Sequence, residues 1–356
     1  SGGIDSSLTA AIASRHAPNR LKTFSIGFED PRFDESKYAT EIAERLKTDH
    51  TSYILSATDC LTTIPLLPEI YDEPFSDPSQ IPTYLVCKLA SQEVKVAISG
   101  DAGDELFGGY NRHITAKMWH KAQSIPKPIR SILSIALNQH GSKVKQESLK
   151  LILKLASSNI KPENIGSTVS KLNTYLKCES PEELYYQIMG RLHNHPIEQT
   201  QEASNALSTF LRLDLLDYLP NNILTKVDRA AMSVSLETRI PLLSQNIVSF
   251  ASTLPNKYKI KGRETKWILK QVLYRYLPKE LFKRPKTGFN IPISDWLKTH
   301  LKDWAIDLIE KPPEFELPKE LDIQNKWNNF LLGDNTSYQL IWNYLCLSSW
   351  NRSRKK

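Results

Sequence analysis

Hydrophobic and polar positions follow two different periods along the first third of the chain. Short apolar runs at Leu21–Phe28, Thr51–Leu55 and Val94–Ser99 predict β-strands, the last of them buried. Apolar residues spaced four apart after Asp34, and the segment Pro82–Gln92, predict helices between these strands. Strands that alternate with helices are typical of parallel βαβ units, so we expect an α/β fold with a doubly wound parallel sheet.

The pattern changes beyond this first third. Residues 123–203 are rich in Lys, Ser, Asn and Pro and show only helical periodicity. Helical patterns also dominate from residue 204 onward, including Lys266–Tyr276 and Tyr338–Trp350. The sequence therefore predicts three parts: an α/β core over 1–122, a variable helical insertion over 123–203 and a helical C-terminal part over 204–356.

Composition narrows the class of protein. The chain has 356 residues, of which 40% are hydrophobic, and no apolar run approaches the ~20 residues that a membrane helix needs. Its four cysteines have no paired spacing, which favours a reducing, cytoplasmic setting. The net charge of +7 suits polyanionic ligands, but aromatic residues are not interleaved with the basic ones as in nucleic-acid surfaces. We expect neither a nucleic-acid nor a membrane partner.

A glycine-rich turn at the very start of the chain leads into the first helix, which we expect to begin near residue 8. Gly2 and Gly3 let the backbone turn sharply and approach a ligand. Ser6 and Ser7 offer hydroxyl and backbone N–H groups at the helix N-terminus, which favours anions. Asp5 fits such a phosphate site only if a cation bridges the two. The pattern is typical of a loop that holds the pyrophosphate of ATP.

A second loop, over residues 99–110, combines glycines with carboxylates directly after a predicted strand. Its acids Asp101, Asp104 and Glu105, together with Asp5, would repel one another without a metal ion. Mg²⁺ relieves that repulsion and accepts carboxylate and phosphate oxygens as ligands. We therefore predict that Asp5 and Asp104 hold Mg²⁺.

Seven strings in this order resemble the synthetase part of the glutamine-hydrolysing asparagine synthetase B family, within the PP-loop ATP pyrophosphatase superfamily. They are Ser1–Ser7, Phe24–Phe28, Asp72–Phe75, Ser99–Tyr110, Leu224–Ala230, Ser235–Leu243 and Arg284–Phe289. The resemblance runs from the first residue to about Trp296 and weakens between Ser124 and Gln201.

The resemblance implies an adenine nucleotide α-hydrolase-like fold and a set of ligand contacts. The residues expected to hold the ATP pyrophosphate are Ser1, Gly2, Gly3, Ser6 and Ser7. Those expected to contact the adenosine are Ile26, through its backbone, and Ser99 and Gly100. Family members adenylate the β-carboxylate of aspartate and then let ammonia displace AMP. The resemblance places Lys286 opposite the negative charge of the transition state, Asp101 near the reacting carboxyl and Arg229 near a substrate carboxylate.

The family also implies a partner domain. Its complete members begin with a glutaminase domain that has an N-terminal cysteine, and this chain begins instead with Ser1 in the phosphate loop. The strand that should precede Ser1 is also missing, so we expect a partial sequence whose parent carries an upstream glutaminase domain. The segment itself should then accept ammonia but not hydrolyse glutamine. A homodimer is a further possibility.

Two other functions and two structural interpretations remain open. A β-lactam-forming or peptide-modifying ligase would use the same ATP site on another carboxylate, and a degenerate module would bind ATP without catalysis. The charges of Lys226, Asp228 and Arg229 also fit an ordinary surface helix face. Glu237 and Arg239 have the spacing of a structural ion pair.

Overall fold

The computed structural model describes residues 2–123, 125–138, 175–190, 205–284, 291–313, 318 and 321–354. Most of the predicted insertion over 123–203 lies outside these residues. The strands are β1 (Lys22–Phe28), β2 (Asp49–Leu55), β3 (Val96–Ile98) and β4 (Glu237–Arg239). Helices in the first part are α1 (Ile4–His16), α2 (Ser36–Leu46), α3 (Ala57–Thr63), α4 (Leu67–Ile70), α5 (Gln80–Ser91), α6 (Gly103–Phe107), α7 (Asn111–Ala122) and α8 (Lys127–Asn138).

Helices continue through the rest of the described chain. They are α9 (Pro181–Met189), α10 (Ala206–Leu213), α11 (Thr225–Met232), α12 (Gln245–Thr253), α13 (Asn256–Lys259), α14 (Trp267–Leu273), α15 (Ile293–Lys298), α16 (Lys302–Glu310), α17 (Ile323–Leu331) and α18 (Tyr338–Ser353). A π-helical stretch, Asp214–Leu224, joins α10 to α11. Among the described residues, no helix is both long enough and apolar enough to cross a membrane.

The chain forms two compact units. Unit 1 contains Ser1–Ala102, Leu219–Ile247 and Leu269–Lys356, and unit 2 contains Gly103–Tyr218 and Val248–Ile268. The chain passes between the units several times, so their boundaries differ from those of the three parts predicted from the sequence. That three-part division stays a prediction.

The strands pair in parallel, as the alternating pattern predicts. β1 pairs with β2 from Lys22 opposite Asp49 to Phe28 opposite Leu55. β3 pairs with β4, which comes much later in the chain. An α/β fold with parallel strands and a large helical part is thus confirmed. The doubly wound sheet is not confirmed, because the described strands form two separate two-stranded sheets.

The prediction that Val94–Ser99 forms a buried strand is wrong in both length and burial. The strand is limited to β3, where Val96 and Ile98 are 43% and 51% exposed. Side chains alternate between the two faces of a strand. Ala97 therefore packs against the cluster that joins α5 to α11, while its two neighbours point to the other face.

A large apolar core organises unit 1. It joins Ile26, Phe28 and Leu55 of the first sheet to the C-terminal helices, where Trp342 and Phe330 are completely buried. Burial of such side chains stabilises by about 1.5–3 kcal/mol each. The C-terminal helices therefore pack against the first sheet and share its apolar core.

Unit 2 has a smaller apolar core and a buried polar network beside it. Helices α7, α9 and α10 pack through Trp119, Tyr185 and Phe210. Next to them the carboxylate of Asp214 is completely buried. It accepts hydrogen bonds from Arg112 at 3.0 Å, from the Tyr185 hydroxyl at 2.7 Å and from His113 Nε2 at 2.6 Å.

These contacts fix the charges of the network. Burial alone would raise the pKa of Asp214, but the hydrogen bond from His113 and the charge of Arg112 outweigh burial and lower it. Burial lowers the pKa of His113 and keeps its imidazole neutral, and Nδ1 accepts a hydrogen bond from the Tyr110 backbone N–H. The ionised Asp214 thus stabilises the folded state at neutral pH, and this contribution is lost as pH falls through its lowered pKa.

Asp214→Asn should lower the free energy of unfolding by about 3–5 kcal/mol at pH 7, because Arg112 would become a buried charge without a counter-charge. Urea unfolding, followed by far-UV circular dichroism, measures the change. Asp303→Asn, at an exposed position in the first turn of α16, is the matched control and should cost less than about 1 kcal/mol. A similar small loss in both variants would contradict the assigned role of the network.

Candidate functional site

The first turn of α1 and the glycines before it form the start of the site. Gly2 has the left-handed φ of +66°, and Gly3 is the N-cap of a helix that begins at Ile4. The predicted helix start near residue 8 is therefore wrong by one turn, because Gly2 completes the turn before Gly3. Ser6 consequently lies inside the first turn, at the positive end of the helix dipole.

Ser7 differs from the expectation of an accessible phosphate ligand. Its side chain is buried, and its backbone N–H donates to the Gly3 carbonyl at 3.1 Å. Asp5 stands in the same first turn, where a carboxylate interacts favourably with the helix dipole.

The end of β3 lies directly against this first turn. A Cβ atom added to Gly100 would stand 2.5 Å from the Ser6 backbone nitrogen and 2.7 Å from the Asp5 carbonyl carbon. Gly100 therefore has to be glycine for the strand end and the helix start to meet. The two sequence landmarks that were predicted to share a ligand thus lie side by side in unit 1.

Ser99 supplies a polar group at the same point. Its backbone N–H donates to the Arg239 carbonyl at 3.0 Å, which continues the pairing of β3 with β4. Its hydroxyl oxygen is buried and has no hydrogen-bond partner in the part of the chain that the structure describes. A buried hydroxyl left without a partner costs about 1–3 kcal/mol. Ser99 is therefore suited to bind a ligand.

Arg284 fixes the glycine turn from the far end of the chain, and sequence reasoning missed it. Its Nη2 donates to the Gly2 carbonyl at 2.8 Å, and its guanidinium lies 3.7 Å from the centre of the Tyr38 ring. A side chain at Gly2 would strike this guanidinium, since an added Cβ would be 2.7 Å from Nη2. No local pattern in the sequence indicates a contact across such a separation.

Asp104 belongs to unit 2, where its carboxylate oxygen lies 2.8 Å from the ammonium of Lys266. Both side chains are largely buried, and Lys266 has a left-handed φ of +52°. Gly109 has no room for a side chain, because an added Cβ would overlap both Asp104 and Lys266. Lys266 is a second residue that sequence reasoning missed, since its local sequence carries no distinctive signal.

Glu105 and Tyr110 lie close to this ion pair. The Tyr110 hydroxyl donates to the Glu105 carboxylate, and burial raises the pKa of Glu105 to about 7. The Arg112 guanidinium lies 3.8 Å from the centre of the Tyr110 ring. The loop that follows Asp104 is thus fixed by buried polar contacts within unit 2.

The other predicted residues are placed as follows. Ile26 lies in β1 with its side chain in the core, and only its backbone could meet a ligand. Asp101 follows Gly100, and its charge adds to the burial that raises the pKa of Cys87 to about 12. Ser1 and Lys286 lie outside the described residues.

Arg229 and Lys226 lie on α11 and differ in exposure. The Arg229 guanidinium is 47% exposed and lies 2.9 Å from the Asp72 carboxylate. Lys226 is buried against Asp77 at 3.1 Å and the Ser79 hydroxyl at 2.8 Å, so it is not part of a surface face. Glu237 and Arg239 do form an ion pair, at 2.7 Å, and it is exposed on β4.

The chain is thus an α/β protein in which the Gly2–Gly3 turn leads into the N-terminus of α1. A glycine-rich turn followed by a helix N-terminus is a site that suits anionic ligands. The asparagine synthase family matches residues 1–352, and the chain belongs to that family. This confirms the resemblance seen in the sequence.

Individual relatives agree with the family match. Asparagine synthetase (glutamine-hydrolyzing) 1 of Bacillus subtilis is 31% identical over 318 residues, which cover 87% of this chain and 48% of that relative. A putative asparagine synthetase (glutamine-hydrolyzing) of Mycobacterium bovis is 30% identical over 358 residues, which cover 99% and 53%. The chain therefore spans about half the length of these relatives.

Ser99→Ala should weaken binding of ATP, the ligand predicted from the sequence, about fivefold, which is the loss of one ordinary hydrogen bond. In the absence of nucleotide the variant should be as stable as the wild type or slightly more so, because a buried hydroxyl without a partner is removed. Isothermal titration and thermal unfolding measure the two effects.

The matched control is Ser14→Ala, on α1, where the hydroxyl donates to the Ala11 carbonyl at 3.1 Å. It should leave nucleotide affinity unchanged. Equal ATP affinity in Ser99→Ala and the wild type would remove Ser99 from the site.

Proposed function

We propose that the chain forms asparagine from aspartate in an ATP-dependent ligase reaction. The β-carboxylate of aspartate is adenylated, and ammonia then displaces AMP. Membership of the asparagine synthase family supports the ligase class. The observation that carries the ATP site is the contact of Gly100 with the first turn of α1, beside the buried hydroxyl of Ser99.

The chemistry has two steps, each of which develops negative charge. A carboxylate oxygen of aspartate bonds to the α-phosphorus of ATP, and the bond to the bridging oxygen breaks to release pyrophosphate. The ammonia nitrogen then bonds to the acyl carbon, loses a proton, and AMP leaves with the electron pair of the carbon–oxygen bond. Preorganised donors aimed at these oxygens account for most of the acceleration in such reactions.

Several residues of this chain are suited to these tasks. In this proposal the N–H groups at the start of α1 bind the pyrophosphate, and the Ser99 hydroxyl binds the nucleotide. Arg284 holds the Gly2 carbonyl and so keeps the turn in shape. In this proposal Lys286 faces the charge on the phosphates and acyl oxygen, Asp101 lies near the reacting carboxyl, and Arg229 binds a substrate carboxylate.

In this proposal Asp5 and Asp104 would hold Mg²⁺. Asp5 and Asp104 supply hard anionic oxygens, which this ion prefers. When bound, Mg²⁺ neutralises charge on the phosphate oxygens. The Lys266 ammonium, 2.8 Å from the Asp104 carboxylate, is a further positive charge beside that group. The nitrogen in this proposal is ammonia, which an upstream glutaminase domain of the parent protein releases from glutamine.

With ATP, Mg²⁺, ammonium and aspartate, the protein should release pyrophosphate and AMP in equal amounts and form asparagine. Coupled pyrophosphate detection and amino-acid chromatography measure the products. Omission of aspartate is the control and should abolish pyrophosphate release. If only another carboxylic acid supported release, the reaction class would stand and the aspartate assignment would fall. ATP binding without release on any carboxylate would identify a non-catalytic module.

Lys286→Ala should lower kcat by roughly 10²–10³, because it removes one charge that stabilises the transition state. The affinity for ATP should change little if the lysine acts mainly in the transition state. Steady-state kinetics and equilibrium titration separate the two. Lys283→Ala is the matched control, since that lysine is exposed and lies 3.8 Å from Glu280. A large loss of ATP affinity with unchanged kcat would assign Lys286 to binding instead.

A further inference from the structure

The segment from Asp72 to Asp77 begins with the string Asp72–Phe75 of the sequence resemblance, yet the proposed reaction gives it no task. It connects α4 to α5 without regular structure. Irregular backbone depends on side chains or water for its hydrogen bonds. In unit 1 this segment receives donors from α18 and presents carboxylates to α11, so it joins the C-terminal helix to the helix that carries Arg229.

Side chains of α18, and that of Arg354 directly after it, hold the two ends of the segment through its carbonyls. The Trp350 indole N–H donates to the Asp72 carbonyl at 3.2 Å, and Arg354 Nη2 donates to the same oxygen at 2.8 Å. The Trp342 indole N–H donates to the Ser76 carbonyl at 2.8 Å. Because Trp342 is completely buried, this contact anchors the segment to the core of unit 1.

The carboxylates of the segment meet two cations that lie three positions apart on α11, and such positions share one face of a helix. Asp77 contacts Lys226 at 3.1 Å, and Asp72 contacts Arg229 at 2.9 Å. The Ser79 hydroxyl donates to the other oxygen of Asp77 at 2.7 Å. The segment is therefore matched to α11 at two points.

A further contact joins the start of the segment to the same helix. The Tyr71 hydroxyl donates to the Lys226 carbonyl at 3.3 Å, and its ring stacks on Phe75 with centroids 4.7 Å apart. Tyr71 is almost completely buried. The end of the segment that faces Arg229 is thus fixed by packing as well as by hydrogen bonds.

We propose that Trp342 and Trp350 of α18, with Arg354 directly after this helix, are positioning residues for substrate recognition, acting through Asp72 on Arg229. This inference rests on the proposed function, in which Arg229 binds the carboxylate of an amino-acid substrate. A guanidinium has several N–H donors, so Arg229 can keep its contact with Asp72 while it binds a second carboxylate. Asp72 then selects one orientation of a long, otherwise mobile side chain.

The arrangement works only because the backbone of Asp72 is fixed. The Asp72–Arg229 pair is 71% and 47% exposed, and exposed ion pairs contribute little stability by themselves. If the backbone of Asp72 were mobile, its carboxylate would move together with the Arg229 guanidinium and could not hold it in one orientation. The two donors to the Asp72 carbonyl, from Trp350 of α18 and from Arg354 after it, remove that freedom.

The test compares Asp72→Asn and Trp350→Phe with the wild type. The first keeps the shape of the side chain and removes its charge, and the second keeps an aromatic ring and removes the indole N–H. Each should raise KM for aspartate about fivefold, which corresponds to one lost hydrogen bond, and leave KM for ATP unchanged. Trp327→Phe is the matched control, because Trp327 lies buried in the same core on α17. It should change neither KM.

Amide hydrogen exchange gives a second readout that needs no substrate. Trp350→Phe should speed exchange in residues 71–80, including the Gln80 N–H that donates to the Asp77 carbonyl, and in α11. Trp327→Phe should leave both segments protected as in the wild type. Faster exchange in α11 would indicate that Trp350 acts on this helix through the Asp72–Asp77 segment, because α11 does not contain the substituted residue.

The outcomes separate this inference from the proposed function. In an active protein, equal shifts of both KM values, or no shift of either, would overturn the positioning role. If the wild type released no pyrophosphate with aspartate, the proposed function would fail and exchange alone would decide the inference. Faster exchange in α11 in Trp350→Phe would then support the link from α18, and unchanged exchange there would overturn it.

Discussion

The backbone of Gly100 lies so close to the first turn of α1 that no side chain fits between them. This contact brings the carboxyl end of a strand to the N-terminus of a helix, where backbone N–H groups and the helix dipole favour an anion. Gly2 imposes a related constraint, because its left-handed backbone packs against the Arg284 guanidinium. Both glycines are required by close approach, and neither position tolerates a Cβ without displacing backbone or a buried cation.

Charge burial imposes a second constraint on the same protein. Asp214 in unit 2 is completely buried and Asp77 in unit 1 is largely buried, and each is matched by a cation and by neutral donors. Such groups contribute little to net stability compared with apolar residues, but removing one partner is costly. They therefore act mainly to define one arrangement of the loops that surround them. Arg112 and His113, two of the partners of Asp214, closely follow the loop over residues 99–110, so this buried network also helps to fix that loop.

Sequence reasoning succeeded where the signal is local. Short apolar runs located β1 and β2, and helical periodicity located α5, to within a few residues. The rule that ligands gather at strand ends predicted that the Gly100 loop and the start of the first helix serve one ligand, and Gly100 does lie against the first turn of α1. It failed for β4, because Glu237, Thr238 and Arg239 are polar and form a strand only through pairing with β3. Lys226 was open to interpretation as a surface residue, since a charged side chain gives no sign in the sequence that a distant carboxylate will bury it.

The residues that escaped prediction share a physical cause. Arg284 contacts Gly2 from 282 positions away, and Trp342 contacts Ser76 from 266 positions away. Contacts of this kind carry no periodicity and no spacing, and they form only when the whole of unit 1 has folded. The glycine turn and the Asp72–Asp77 segment are short and lack regular structure of their own, so their shape depends on donors from late in the chain: Arg284 for the turn, and α18 with Arg354 for the segment. A chain cut before Arg284 would keep most of its motifs and lose the groups that hold them in place.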